Sequence, residues 1–315
     1  MQLQIAIAFG RCRCSPGRLL SAEQTATTGW GGFVPTRPGP TVQRRRLGIE
    51  LRRLREQAGK TIDDVARVLE CSDSKVSRIE NGQVSASPRD VRDMLEFYGV
   101  DAEHRDGLVE FARTARKKGW WEAYSDTDVV PLVGLEVAAD RIQQYEPMVV
   151  HGLLQTETYA RALIRALQPD LSRQQVQRLV ELRMTRQELL SSAGAPELSV
   201  VIEECALRRP VGGRKGMQAQ LRSLVDSIAT LPHLTLQVLP LRIGAHGALS
   251  GAFAVYRFGD SADPDVVFFE HHLNDLYLDS PGQVERYAKT FERLQAAALS
   301  PSDSSSLLGS IARQF

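Results

Sequence analysis

Asp73, Ser74, Lys75, Ser77 and Arg78 crowd into one stretch of the chain, and their side chains are short and polar or cationic. Groups of this kind hydrogen-bond to base edges in a DNA groove and to phosphate oxygens. Val76 and Ile79 sit between them at a helical spacing, so a helix from Asp73 to about Glu80 buries those two and turns the polar set outward. If this is the second helix of a helix-turn-helix motif, its N-terminal residues meet base edges in the major groove. Asp73, Ser74, Lys75 and Arg78 are then the base-reading residues. Arg78 can grip a guanine through two hydrogen bonds, worth about 1–3 kcal/mol of discrimination, and Lys75 can do the same or take a phosphate. Thr61, Ser77 and Asn81 suit backbone contacts that fix register.

The elements needed to hold such a reader are also legible. Ile62, Val65, Ala66 and Leu69 form an apolar stripe on a first helix, with Thr61 as N-cap and Asp64 in a weakened capping box. Ser72 caps the second helix, and Asn81-Gly82 closes it with residues that tolerate positive φ. Upstream, Leu47, Leu51, Leu54 and Ala58 give another stripe on a helix rich in arginine, where Arg52 and Arg53 are candidates for DNA phosphates. Downstream, Ser87-Pro88 opens a helix buried through Val91, Met94, Leu95 and Tyr98, and a fifth helix spans Ala102 to Arg116. Spacing alone also fits, less well, a packed helical pair with solvated polar faces.

At 315 residues, 43% of them hydrophobic, the chain is long enough for two packed domains. Its net charge of +1 supplies no global field toward nucleic acid, so DNA affinity must come from local clusters such as Arg44 to Arg55. No apolar run approaches the roughly 20 residues that span a bilayer. Residues 1–40, rich in Gly, Pro, Ser, Thr and Arg, read as a disordered tail without a secretory signal. Cys12 and Cys14 lack a second pair at zinc spacing, Cys71 and Cys205 read as small buried residues, and nothing implies disulfides. A soluble protein of a reducing cytoplasm is expected.

The reader domain is expected over 41–118, with Gly119-Trp120-Trp121 packing the handover to an α+β domain over 119–300, and a C-terminal tail over 301–315. In the second domain, helices are expected at Leu132 to Gln144, Thr156 to Leu167, Ser172 to Leu190, Gly216 to Ala229 and Gln283 to Ala298. Strands are expected at Leu198 to Glu203, Leu234 to Leu239, Ala252 to Phe258 and Val266 to Glu270, in a small mixed or antiparallel sheet. Glu203-Glu204 and Glu270-His271-His272 are the dense ionisable groups, but neighbours on a strand point to opposite faces, which disfavours a metal site. No catalytic or nucleotide-binding motif is present, so neither an enzyme nor a cofactor is expected.

The motif RRLREQAGKTIDDVAR followed by SKVSRIENG is similar to the Xre or Cro repressor-like domain. Together with WWEAYSD, VGLEVAADRIQQYEPMVVHGLLQTETYARALI, VIEECALRRPVGG and VVFFEHHLNDLYLD, it resembles actinobacterial Xre-like regulators with a C-terminal domain of unknown function. That family usually has proline where this chain has His151, and a glycine in left-handed conformation at the turn where this chain has Glu70, which implies a cost of about 1–2 kcal/mol there. The resemblance implies an antitoxin-like transcriptional regulator, often paired with a small partner protein encoded nearby, whose ordered chain begins near Thr41. Reading a half-site per recognition helix further predicts a homodimer on double-stranded DNA. The alternative is an interaction module that sequesters the small partner and binds DNA only to regulate itself.

Overall fold

The computed structural model describes residues 40–116, 119–124, 130–259, 263–270 and 275–315. Apart from Pro40, the expected N-terminal tail lies outside them, with Cys12 and Cys14, as do His271 and His272. Five helices come first: α1 (Pro40–Gln57), α2 (Ile62–Val68), α3 (Asp73–Glu80), α4 (Pro88–Phe97) and α5 (Ala102–Ala115). They enclose a core of Leu47, Leu51, Val65, Val76, Ile79, Val91, Met94 and Leu95. The apolar spacings that predicted these helices are the ones that meet in this core.

Successive helices here end in the same way. After α1, α3 and α4, Gly59, Gly82 and Gly99 take φ of 66°, 68° and 75°. After α2 the corresponding residue is Glu70, at φ 49°. Its N–H reaches the Arg67 carbonyl at 3.3 Å and the Cys71 N–H reaches that of Ala66 at 2.9 Å, the paired bonds of a Schellman turn. The expected left-handed position is therefore filled by glutamate, and the turn geometry is kept.

A 3-10 turn over Trp120–Tyr124 follows, with Trp121 buried against Val133 and Leu182. The second domain comprises α6 (Val130–Ala138), β1 (Arg141–Glu146), α7 (Glu157–Leu167), α8 (Arg173–Gln187), β2 (Glu197–Glu203), α9 (Glu204–Arg208), α10 (Gly213–Thr230), β3 (Leu234–Leu239), β4 (Phe253–Arg257), β5 (Val266–Phe269), β6 (Leu276–Leu278), α11 (Pro281–Ala297) and α12 (Pro301–Ala312). Its six-stranded sheet runs β3-β2-β1-β4-β5-β6. The first three strands pair in parallel and β4 to β6 antiparallel, which makes the sheet mixed. One face carries Ile142, Val200, Leu236 and Tyr256 into the larger core with α7, α10 and α12, and the other carries Tyr145, Val201, Val255 and Val267 against Phe291 of α11.

Three expectations are corrected. The helix read from Leu132 to Gln144 stops at Ala138, and Arg141–Glu146 is the central strand β1. Gln143, Gln144 and Glu146 disguise it, because they are buried polar residues at positions where a central strand is ordinarily apolar. Gln144 Nε2 donates to Glu146 Oε1 at 3.1 Å, which meets part of the cost of burying them. The short edge strand β6 was not expected at all. Finally, the expected tail over 301–315 is helix α12: Ser300 caps it, Pro301 takes its first turn, and Leu308 and Ile311 are fully buried. Ser304 Oγ accepts from the Val238 N–H at 2.9 Å, so α12 closes the open edge of β3.

Two buried polar pairs stand out inside the second domain. Arg186 makes a two-pronged bond with Glu136 at 2.9 and 2.6 Å. Burial lowers the Arg186 pKa, but the Glu136 carboxylate outweighs it and holds the guanidinium above its ordinary value. His151 Nδ1 lies 3.3 Å from Glu146 Oε1, and its φ of −55° is within the range of proline, so the family's usual residue would fit this backbone.

Candidate nucleic-acid interface

The reader is assembled by caps. Asp64 N–H donates to Thr61 Oγ1 at 3.1 Å and Thr61 N–H to Asp64 Oδ2 at 2.9 Å, a complete capping box despite the shorter aspartate. At α3, Ser72 Oγ accepts from the Lys75 N–H at 3.3 Å. Val76 and Ile79 are buried beneath, so the helix presents Asp73, Ser74 and Arg78 to solvent.

These side chains differ in how far they are free to reach a base. Arg78 uses only Nε internally, donating to the Ser74 carbonyl at 3.2 Å, which leaves both terminal nitrogens of its fork for a ligand. Lys75 is half-buried and its Nζ lies 3.2 Å from Asp90 Oδ2 in the first turn of α4. That contact uses one of the three donors of its ammonium group. Thr61 and Asn81 are exposed and Ser77 is half-buried, with Asn81 Nδ2 donating to Ser77 Oγ at 3.4 Å.

The arginines of α1 divide. Arg55 is buried and bonded to Glu80 at 2.7 and 3.0 Å, tying α1 to the end of α3. Arg45 is buried beside Asp279 at 2.8 Å and over the Tyr277 ring at 4.7 Å, and burial lowers its pKa although Asp279 opposes the shift. Arg44 Nε donates to the Ala115 carbonyl and Arg46 lies 3.6 Å from Asp263. Most of the basic cluster is thus spent on the protein's own structure. Arg52 and Arg53 remain exposed, held by Glu56 at 3.0 Å and Glu50 at 2.6 Å on their own helix. Glu50 also lies 3.7 Å from His104, which puts Arg53 on the side of α1 that faces α5. Sequence reasoning passed over Arg89, nine-tenths exposed in the first turn of α4 beside Asp90; the Ser87-Pro88 start signal was the clue to its position.

Gly48 and Gly82 explain how closely this frame is packed. A Cβ on Gly48 would stand 2.5 Å from the Glu80 carbonyl oxygen, and one on Gly82 2.7 Å from Arg45 Cα. The C-terminal end of α3 therefore rests directly on the backbone of α1.

Residues 46–108 match the helix-turn-helix domain family, which points to DNA as a partner, and residues 129–310 match a family described as a domain of unknown function, DUF5753. The chain belongs to the DUF5753 family. Nothing matches it among curated proteins or solved structures. The DUF5753 match runs through most of α12, in keeping with that helix being part of the domain. No helix among the described residues is long and apolar enough to cross a membrane.

Proposed function

We propose that the protein is a sequence-specific, Xre-like transcriptional regulator that binds double-stranded DNA as a homodimer through α3. The observation that carries this reading is the exposed Asp73, Ser74 and Arg78 face on a helix capped at both ends, with the Arg78 fork unengaged. Asp73, Ser74, Lys75 and Arg78 read bases; Thr61, Ser77, Asn81, Arg52 and Arg53 position the protein on phosphates. Two-fold pairing is what lets one short helix per protomer specify a full site.

Selection of bound duplexes from a random library by the full chain tests this. The expected product is an enriched sequence of two related half-sites about 10–10.5 bp apart, or a multiple of that. No enrichment would overturn sequence reading, and a single half-site would overturn the dimer. Arg52→Ala and Arg53→Ala should each weaken all sequences and lower the salt slope by about 1. A stoichiometric small protein recovered with the chain from its host, without selective DNA binding, would favour the antitoxin-like reading instead.

A further inference from the structure

The carboxyl ends of the parallel strands β1, β2 and β3 open onto a cavity of about 320 Å³. Crevices at this end of parallel strands are where open sheets with crossover helices bind ligands. The volume lies near the lower limit for small-molecule sites. Its walls are Met148, Leu239, Leu241, Ile243 and Leu249, and among the described lining residues Glu203 carries the one carboxyl, with no lysine or arginine beside it. Three of the wall residues are left to water: Met148, Leu241 and Leu249 are 51%, 56% and 67% exposed.

Hydrogen bonding on the floor converges on one oxygen of Glu203. Tyr145 Oη donates to Glu203 Oε1 at 2.9 Å, and His246 Nε2 meets the same oxygen at 2.9 Å. The Ala248 N–H donates to His246 Nδ1 at 3.3 Å, so Nδ1 is the acceptor and the ring proton is on Nε2. Tyr145 packs edge-on against that ring, 5.7 Å between centroids, and locks it in place. Glu203 Oε1 thus takes both contacts, while Oε2 accepts from none of the described residues. The nearby Cys205 thiol donates to the Pro147 carbonyl at 3.1 Å, and burial raises its pKa, so it is not an activated nucleophile for which His246 would serve as base.

A buried carboxylate with an unfilled oxygen, walled by aliphatic side chains, attracts a cation with an apolar body and repels an anion. We propose that this cavity is a binding site for a small organic ammonium compound, with Glu203 as its counter-ion and the rim of Met148, Leu241 and Leu249 closing over its apolar part. Nothing in this assignment depends on the DNA-binding reading, and binding is measured without DNA, so either can fail while the other stands.

Isothermal titration of the full chain with 2-phenylethylamine tests the site, with 2-phenylethanol and 3-phenylpropionate as the neutral and anionic counterparts of similar shape. The amine should bind saturably at one site per chain and both counterparts at least tenfold more weakly. Glu203→Gln should weaken the amine at least tenfold. Leu241→Lys, at an exposed position where folding is not at stake, should weaken it in the same direction by placing a cation at the mouth. Absence of saturable amine binding, equal binding of the alcohol or the acid, or full affinity in Leu241→Lys would each overturn the proposal.

Discussion

Removing the Glu80 carboxylate should loosen α3 without touching any of the proposed DNA-contacting residues. Glu80 accepts from Arg55 Nε at 2.7 Å and from Nη2 at 3.0 Å, and Arg55 Nη1 donates to the Lys60 carbonyl at 2.9 Å. The two side chains are 10% and 3% exposed, so solvent screens the pair little. Glu80→Ala strands a buried guanidinium, and breaking such a pair costs about 3–5 kcal/mol. Replacing both partners by apolar residues, Arg55→Met with Glu80→Leu, removes the stranded charge and should cost less than the two single changes added together. Hydrogen exchange of peptides covering Ser72 to Asn81 reads the effect locally, with peptides covering β2 as the control. The expected outcome is faster exchange in the first set alone. A loss below about 1 kcal/mol, the range of surface pairs, or strict additivity of the two changes, would refute the reasoning.

Further outcomes follow from the same frame. Glu70→Gly relieves a left-handed glutamate worth about 1–2 kcal/mol, partly offset by the entropy of glycine, and should raise stability by about 1 kcal/mol in urea unfolding; a loss would mean that the Glu70 side chain holds the turn. Gly48→Ala should destabilise by about 1–3 kcal/mol, since its Cβ meets the Glu80 carbonyl oxygen at 2.5 Å, whereas Gly107→Ala in α5, with nothing within 4 Å, should stabilise by about 1 kcal/mol. Equal signs for the two glycines would contradict the close α1–α3 contact. Burial raises the Glu146 pKa, with the His151 bond opposing it. A carboxyl whose folded pKa lies above its unfolded value binds more protons when folded, so its contribution falls as pH rises from about 4.3 through the raised value. Glu146→Gln should flatten stability against pH across that window, and an unchanged profile would remove Glu146 as its source.

The helix-turn-helix was legible because its signals are local. Thr61, Ser72 and Ser87 each cap the helix they precede, and the stripes through Val65, Val76 and Val91 name their own buried faces. The left-handed turn at Glu70 was legible only through the family resemblance, since glutamate itself carries no signal for positive φ. What stayed hidden depends on pairing between distant positions. Arg55 read as one more arginine of a basic face, and only the α1–α3 crossing makes it the buried partner of Glu80. Strand β1 was missed because its glutamines are acceptable only inside a sheet whose neighbours lie far along the chain. The cavity needed the same knowledge: Tyr145 and Glu203 meet across the parallel pair of β1 and β2, and His246 joins them from the connection between β3 and β4, which no motif announces. Helix α12 is a different case, for Ser300-Pro301 is a legible start signal whose apolar stripe was passed over because it lies at the chain end.

The central claim is that α3 reads bases through the free fork of Arg78. Its most direct test is a titration of the full chain and of Arg78→Ala on the selected duplex and on a random duplex, at one fixed salt concentration. The account predicts a loss of about 1–3 kcal/mol on the selected sequence and little change on the random one. Equal weakening on both would make Arg78 a phosphate contact, and no weakening on either would contradict the claim.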